Sequence, residues 1–204
     1  YTAGVVGGKE AAAYEAECGQ ASGTETFVAL RADIDNWRWA GVPFFLRTGK
    51  RLPDRRTQIA IQFKPVPHSI FGPFGDRDIQ ANRLVIELQP DEDISLTIMN
   101  KRPGLNGEHM RLQPLPLSLS LARALGEEGG RRRIAYERLL LDVMRGDPTL
   151  FVRRDEVEEA WRFVDGVADA WAQAGVEPRP YAAGTAGPAG VSGLIERSKR
   201  QWHD

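Results

Sequence analysis

The sequence of 204 residues has a single cysteine, Cys18. That excludes an intrachain disulfide and any cysteine-based zinc cluster, and it suits a reducing cytoplasm. Long hydrophobic runs are also missing. The longest, Val42 to Leu46, is far too short to span a bilayer, and no signal peptide is visible. An excess of charge of either sign is lacking too: 27 Lys and Arg face 28 Asp and Glu, for a net charge of −1. Such a balance gives no global attraction to nucleic acid or to an anionic membrane, so any anion must be held by a local cluster. The three histidines, His68, His109 and His203, lie too far apart in sequence to suggest a metal set. Initiator methionine is absent before Tyr1, and the reading is of a piece of a longer chain.

What is present is an ordinary globular composition, 42% hydrophobic and 27% charged. A chain of this size is expected to bury roughly 70% of its unfolded surface. Residues 1–23 carry five glycines around an alanine cluster and are expected to form a flexible lead-in with irregular backbone. Residues 24–204 are expected to form one domain. Short β-rich runs follow at Thr26 to Arg31, Val42 to Leu46, Ile59 to Phe63, Leu84 to Leu88 and Ile94 to Met99, separated by connectors rich in Pro and Gly. Between the first two, Asp35 and Asn36 make a helix or turn start, and Trp37 and Trp39 are expected to pack rather than stack on a sugar.

Beyond about residue 131 the period changes to that of helices. Ala135, Tyr136, Leu139, Leu140, Val143 and Met144 form one apolar stripe, ended by Gly146 to Pro148. A second helix is expected to start with Asp155 as its cap and Glu158 at capping-box spacing, with Val157, Trp161, Val164, Ala168 and Trp171 as its stripe. A short helix is expected around Leu194 to Arg200. Strands first and helices later predict an α+β fold: a large, mostly antiparallel sheet with helices on one face.

Gly49-Lys50 is not a phosphate loop, because Phe44 stands where the first glycine is needed and Arg51 where Ser or Thr is needed. Nor is Gly184 to Gly190 a dinucleotide fingerprint, since no strand leads into it. Arg47, Lys50, Arg51, Arg55 and Arg56 place five cations within ten residues. Two readings are open from composition alone: a solvated basic loop, or a cluster converging on a polyanionic or polyhydroxylated ligand.

Several long segments then point one way. DNWRWAGVPFFLRTGKRLP (35–53), TETFVALRA (24–32), TQIAIQFKPVP (57–67), NRLVIELQPDE (82–92), the run 135–165 and PYAAGTAGPAG (180–190) together resemble the glucose-6-phosphate dehydrogenase family, whereas 1–23 and 104–130 resemble it loosely. The resemblance implies the carboxy-terminal domain of an oxidoreductase that oxidises glucose 6-phosphate to its lactone with NADP or NAD, in the cytoplasm, at the entry to the pentose phosphate route. It implies sugar contacts from Lys50, Arg55 and Gln89, and a homodimer, or a dimer of dimers, pairing through the sheet. The family's phosphate-binding stretch and its catalytic His-Asp pair have no match here, nor does its NADP-binding Rossmann domain. So no catalytic residue, coenzyme or metal is expected on this chain. Some members hold a second, structural NADP on this domain. Positions basic in those members are Ala60, Glu87, Thr97 and Ala186 here, which implies a bacterial-type protein without that site.

Overall fold

A computed structural model describes residues 1–68, 79–102, 112–120, 124 and 135–203. Its described elements are antiparallel strands followed by helices, an α+β arrangement as expected. The chain divides into two compact units: one joins residues 1–54 to 133–202, the other spans 55–132 with His203.

In the first unit, β1 (Gly4–Val6) and β2 (Lys9–Ala11) form a hairpin with Val6 opposite Lys9. The two residues between them, Gly7 and Gly8, have φ of 56° and 77°, the left-handed pair that a tight hairpin of this hand requires. Helix α1 (Tyr14–Cys18) follows. Residues 1–23 therefore hold three short elements where irregular backbone was expected: their glycines serve as turn residues. Strands β3 (Phe27–Asp33) and β4 (Pro43–Gly49) pair antiparallel from Phe27 opposite Gly49 to Asp33 opposite Pro43. In the turn joining them, Asn36 Oδ1 accepts the Trp39 N–H at 2.9 Å. Trp39 packs edge-on against Phe44, with ring centroids 5.2 Å apart. Trp37 is wholly exposed, so the packing expected of it is not found.

Helix α2 (Ala135–Arg145) ends as the sequence predicts, with Gly146 at φ 68° and the Asp147 N–H returning 2.9 Å to the Asp142 carbonyl. Helix α3 (Arg154–Gln173) begins differently. Glu156, not Glu158, reaches back to accept the Arg153 N–H at 3.0 Å, and Asp155 pairs instead with the Arg153 guanidinium (Nε to Oδ1 2.9 Å). A neighbouring guanidinium outbids the backbone donors for the Asp155 carboxylate, and the start moves by two residues. The apolar stripes of both helices are largely exposed, with Leu140 at 65% and Trp161 at 61%, while Leu139 and Trp171 are half-buried. Period alone makes a helix amphipathic without supplying what covers it. Last in the unit, α4 (Val191–Glu196) follows Gly190 and packs on β3.

The second unit is one antiparallel sheet in the order β5 (Thr57–Gln62), β6 (Arg83–Gln89), β7 (Asp93–Lys101), β8 (Leu112–Ser120). β8 went unread in the sequence because Pro114 and Pro116 break its pattern. Proline lacks an N–H and is tolerated on an edge strand, and β8 is an edge. The described strands fall into three sheets, of two, two and four strands. Pairing within each is antiparallel as predicted. The buried hydrophobic residues among those described are few: Ala11, Tyr181, Ala183 and Ile195 in the first unit and Val85 in the second.

Candidate functional site

Lys50 follows directly on β4, and its backbone is held on both sides. Its N–H donates to the Thr26 carbonyl at 2.8 Å, one step beyond the β3–β4 ladder. Its own carbonyl accepts the Tyr181 hydroxyl at 2.7 Å, and the Thr26 carbonyl stands 3.0 Å from the same hydroxyl. Tyr181 is buried, its ring edge-on to Phe27 at 5.6 Å and to Tyr1 at 6.2 Å. Gly49 is required by space: a Cβ there would lie 2.7 Å from the Phe27 ring. Arg51, next along, sits at φ 50°, an uncommon conformation for a residue with a side chain. Its carbonyl accepts the Gly184 N–H at 2.7 Å.

The five cations of the cluster separate by what they touch. Arg51 donates to Glu17 at 2.7 Å, and the Tyr1 hydroxyl donates to the other oxygen of that carboxylate at 2.6 Å. The Tyr1 hydroxyl first, and Arg51 with it, hold the Glu17 carboxyl below the usual range. Arg56 is paired with Glu87 at 2.8 Å. Arg47 lies 4.8 Å from the centre of the Trp202 ring, a cation–π distance. It also lines a cavity of about 260 Å³ with Ala186, Ile195, Glu196 and Trp202. Lys50 and Arg55 are the two that remain: both are exposed, and among the described residues neither side chain makes a hydrogen bond or ion pair.

Arg55 and Gln89 belong to the second unit, whereas Lys50 belongs to the first. Gln89 ends β6 opposite Thr57, two residues after Arg55, so both lie at one end of the β5–β6 pair. The register slips there, because Thr57 faces Gln89 while Gln58 faces Glu87. Leu88 is thereby left over, a bulge of the sort that re-aims neighbouring side chains. Gln89 is exposed. Tyr181 and Gly184 were not singled out by sequence reasoning. Their partners lie more than a hundred residues away, and no local pattern marks such a contact.

The family described as the glucose-6-phosphate dehydrogenase C-terminal domain matches residues 1–203. The chain belongs to that family. It is 54% identical over 206 residues to the glucose-6-phosphate 1-dehydrogenase of Zymomonas mobilis subsp. mobilis, covering 100% of this chain and 41% of that protein. The enzyme of the same name from Rhizobium meliloti is 51% identical, again over 100% of this chain and 40% of its own length. Among solved structures, glucose-6-phosphate 1-dehydrogenase from Mycobacterium avium matches 90% of this chain and 36% of its own, with a TM-score of 0.69 and 35% identity. A glucose-6-phosphate dehydrogenase in complex with its substrate glucose 6-phosphate matches 100% of this chain and 41% of its own, with a TM-score of 0.78 and 28% identity. This chain thus spans about two fifths of the length of these relatives. The similarity runs through residues 1–23 and 104–130 as well, where the sequence motifs were loose.

No helix among the described residues is long and apolar enough to cross a membrane. Among the same residues, no group of three or more His, Cys, Asp or Glu could hold a metal ion.

Proposed function

We propose that this chain is the sugar-phosphate-binding and subunit-pairing part of a cytoplasmic, NADP-linked glucose-6-phosphate dehydrogenase. It works joined to a nucleotide-binding Rossmann domain of the same polypeptide. The observation that carries this reading is the sorting of the basic cluster. Three of its five cations are engaged within the protein, and the two left to a ligand, Lys50 and Arg55, are those the family resemblance assigns to the sugar phosphate. Gln89 adds an amide able to donate to and accept from a hydroxyl. These groups bind and orient. The oxidation needs a base for the anomeric proton and a hydride acceptor, which NADP supplies on the Rossmann domain.

This chain itself is assigned no coenzyme. Arg56 is paired by Glu87, and a nucleotide phosphate would have to displace that carboxylate or lie beside it. The chain alone is therefore expected to reduce no NADP with glucose 6-phosphate and to give no calorimetric signal with micromolar NADP. Turnover above a buffer blank, or micromolar binding, would refute this assignment of parts. Full-length enzyme carrying this domain is expected to turn over both.

Subunit pairing is assigned to one face of the second unit's sheet. Cross-strand partners share a face, so Ile59, Ile86, Ile94 and Leu119 form one row, and Ile61, Leu84, Leu96 and Leu117 the next. The eight make an apolar face whose outer strands are half exposed, with Ile61 at 42% and Leu117 at 47%. A second copy covering it would remove an aggregation hazard. Replacing Ile61 and Leu117 together with glutamate is expected to convert the full-length enzyme to monomer in analytical ultracentrifugation. An unchanged sedimentation coefficient would move the interface elsewhere.

A further inference from the structure

We propose that Tyr181 is a positioning residue for Lys50, a role that rests on reading Lys50 as a sugar-phosphate contact. The Lys50 side chain is exposed and has no partner among the described residues, so nothing but its backbone can aim it. That backbone is fastened at three points. The Lys50 N–H is held by Thr26 at 2.8 Å, the Lys50 carbonyl by the Tyr181 hydroxyl at 2.7 Å, and the Arg51 carbonyl by the Gly184 N–H at 2.7 Å.

Two of the three fastenings come from the segment Tyr181 to Gly184, 131 residues further along the chain in the case of Tyr181. They hold a turn whose second residue, Arg51, is at φ 50° and would relax if released. Tyr181 is the only one of these fastenings made by a side chain, and hence the one that can be removed without touching the main chain. Its buried ring supplies rigidity, and the hydroxyl carries that rigidity to Lys50. A long, flexible ammonium delivered from a fixed backbone loses less freedom on meeting its ligand than one delivered from a mobile turn.

The test is a double-mutant cycle in the full-length enzyme with Tyr181→Phe, Lys50→Ala and the pair. Phenylalanine keeps the ring contacts and deletes only the hydroxyl. Tyr181→Phe is expected to raise KM for glucose 6-phosphate by ~3- to 10-fold, the scale of one hydrogen bond, while KM for the coenzyme is unchanged. In the Lys50→Ala background the same substitution is expected to have no further effect on that KM, although it lowers the unfolding midpoint by the same amount in both backgrounds. A further rise of equal size in the Lys50→Ala background would show a general structural role and overturn the proposal. So would a KM within twofold of wild type for Tyr181→Phe alone. If Lys50→Ala itself leaves KM unchanged, the sugar-phosphate reading of Lys50 falls, and this proposal with it.

Discussion

Deleting the side chain of Lys50 or of Arg55 in the full-length enzyme is expected to lower kcat/KM for glucose 6-phosphate by ~10- to 150-fold. Each is a cation on an exposed segment with no partner among the described residues, so each can give its full hydrogen-bonding capacity to a ligand. A charge-assisted hydrogen bond to a substrate oxygen contributes about 1.5–3 kcal/mol, and that range sets the expected loss. KM for the coenzyme should barely move, since neither group is assigned to it. Arg56→Ala is the comparison: its guanidinium is already occupied by Glu87, and its loss is expected to change kcat/KM far less. Steady-state kinetics of the three variants decide the matter. If Lys50→Ala and Arg55→Ala both stay within twofold of wild type, the basic cluster is a solvated loop and the site lies elsewhere, whereas family membership is untouched.

The second large effect concerns stability. Gly184→Ala is expected to destabilise the first unit by about 3 kcal/mol or more, from two independent sources. Gly184 sits at φ 86°, where a side chain costs about 1–2 kcal/mol. A Cβ built there would also lie 1.8 Å from the Val5 carbonyl oxygen, a backbone atom of β1 that cannot swing aside. Overpacking of this kind typically adds 1–3 kcal/mol, and here the overlap is with main chain. The segments 1–6 and 181–184 would have to part, although the Thr2 N–H donates to the Tyr181 carbonyl at 2.8 Å and the Thr2 carbonyl accepts the Ala183 N–H at 3.1 Å. Thermal unfolding followed by circular dichroism should show a midpoint lower by at least ~6 °C, at about 2–4 °C per kcal/mol for a chain of this size. Gly23→Ala provides the control, because nothing lies within 4 Å of a Cβ at that position. A Gly184→Ala variant melting with wild type would mean that the two segments are not in the close contact described.

The stability prediction and the Lys50 part of the kinetic one involve the same piece of structure, the meeting of the turn after β4 with the segment after Pro180. From the sequence, each half looks unrelated to the other. The Arg47 to Arg56 cluster was legible because five like charges in ten residues stand out against a nearly neutral chain. The glycines of the 181–190 segment look locally like a loose loop. In the structure they are what allows close approach: a Cβ at Gly187 would strike the Phe27 ring at 2.4 Å. The β8 strand was missed for a comparable reason. Its prolines argue against a strand in general and only an edge position, which local pattern does not report, permits them.

Local chemistry alone determined the elements and their order. Alternating apolar residues produced β3 to β7, a 3.6-residue period produced α2 and α3, and Gly146 and Gly175 closed those helices in left-handed conformation. Short segments carry those signals within themselves, since backbone preference and amphipathicity act over a few residues. Tertiary structure alone decided which cations are spent and which are left. Glu17 takes Arg51 from 34 residues away and Glu87 takes Arg56 from 31, while Tyr181 fixes the backbone of Lys50 across 131. Charge pairing and hydrogen bonding act over a few ångströms of space, and sequence distance does not enter them. Hence composition leaves the five cations equivalent, and folding leaves Lys50 and Arg55 without a partner among the described residues.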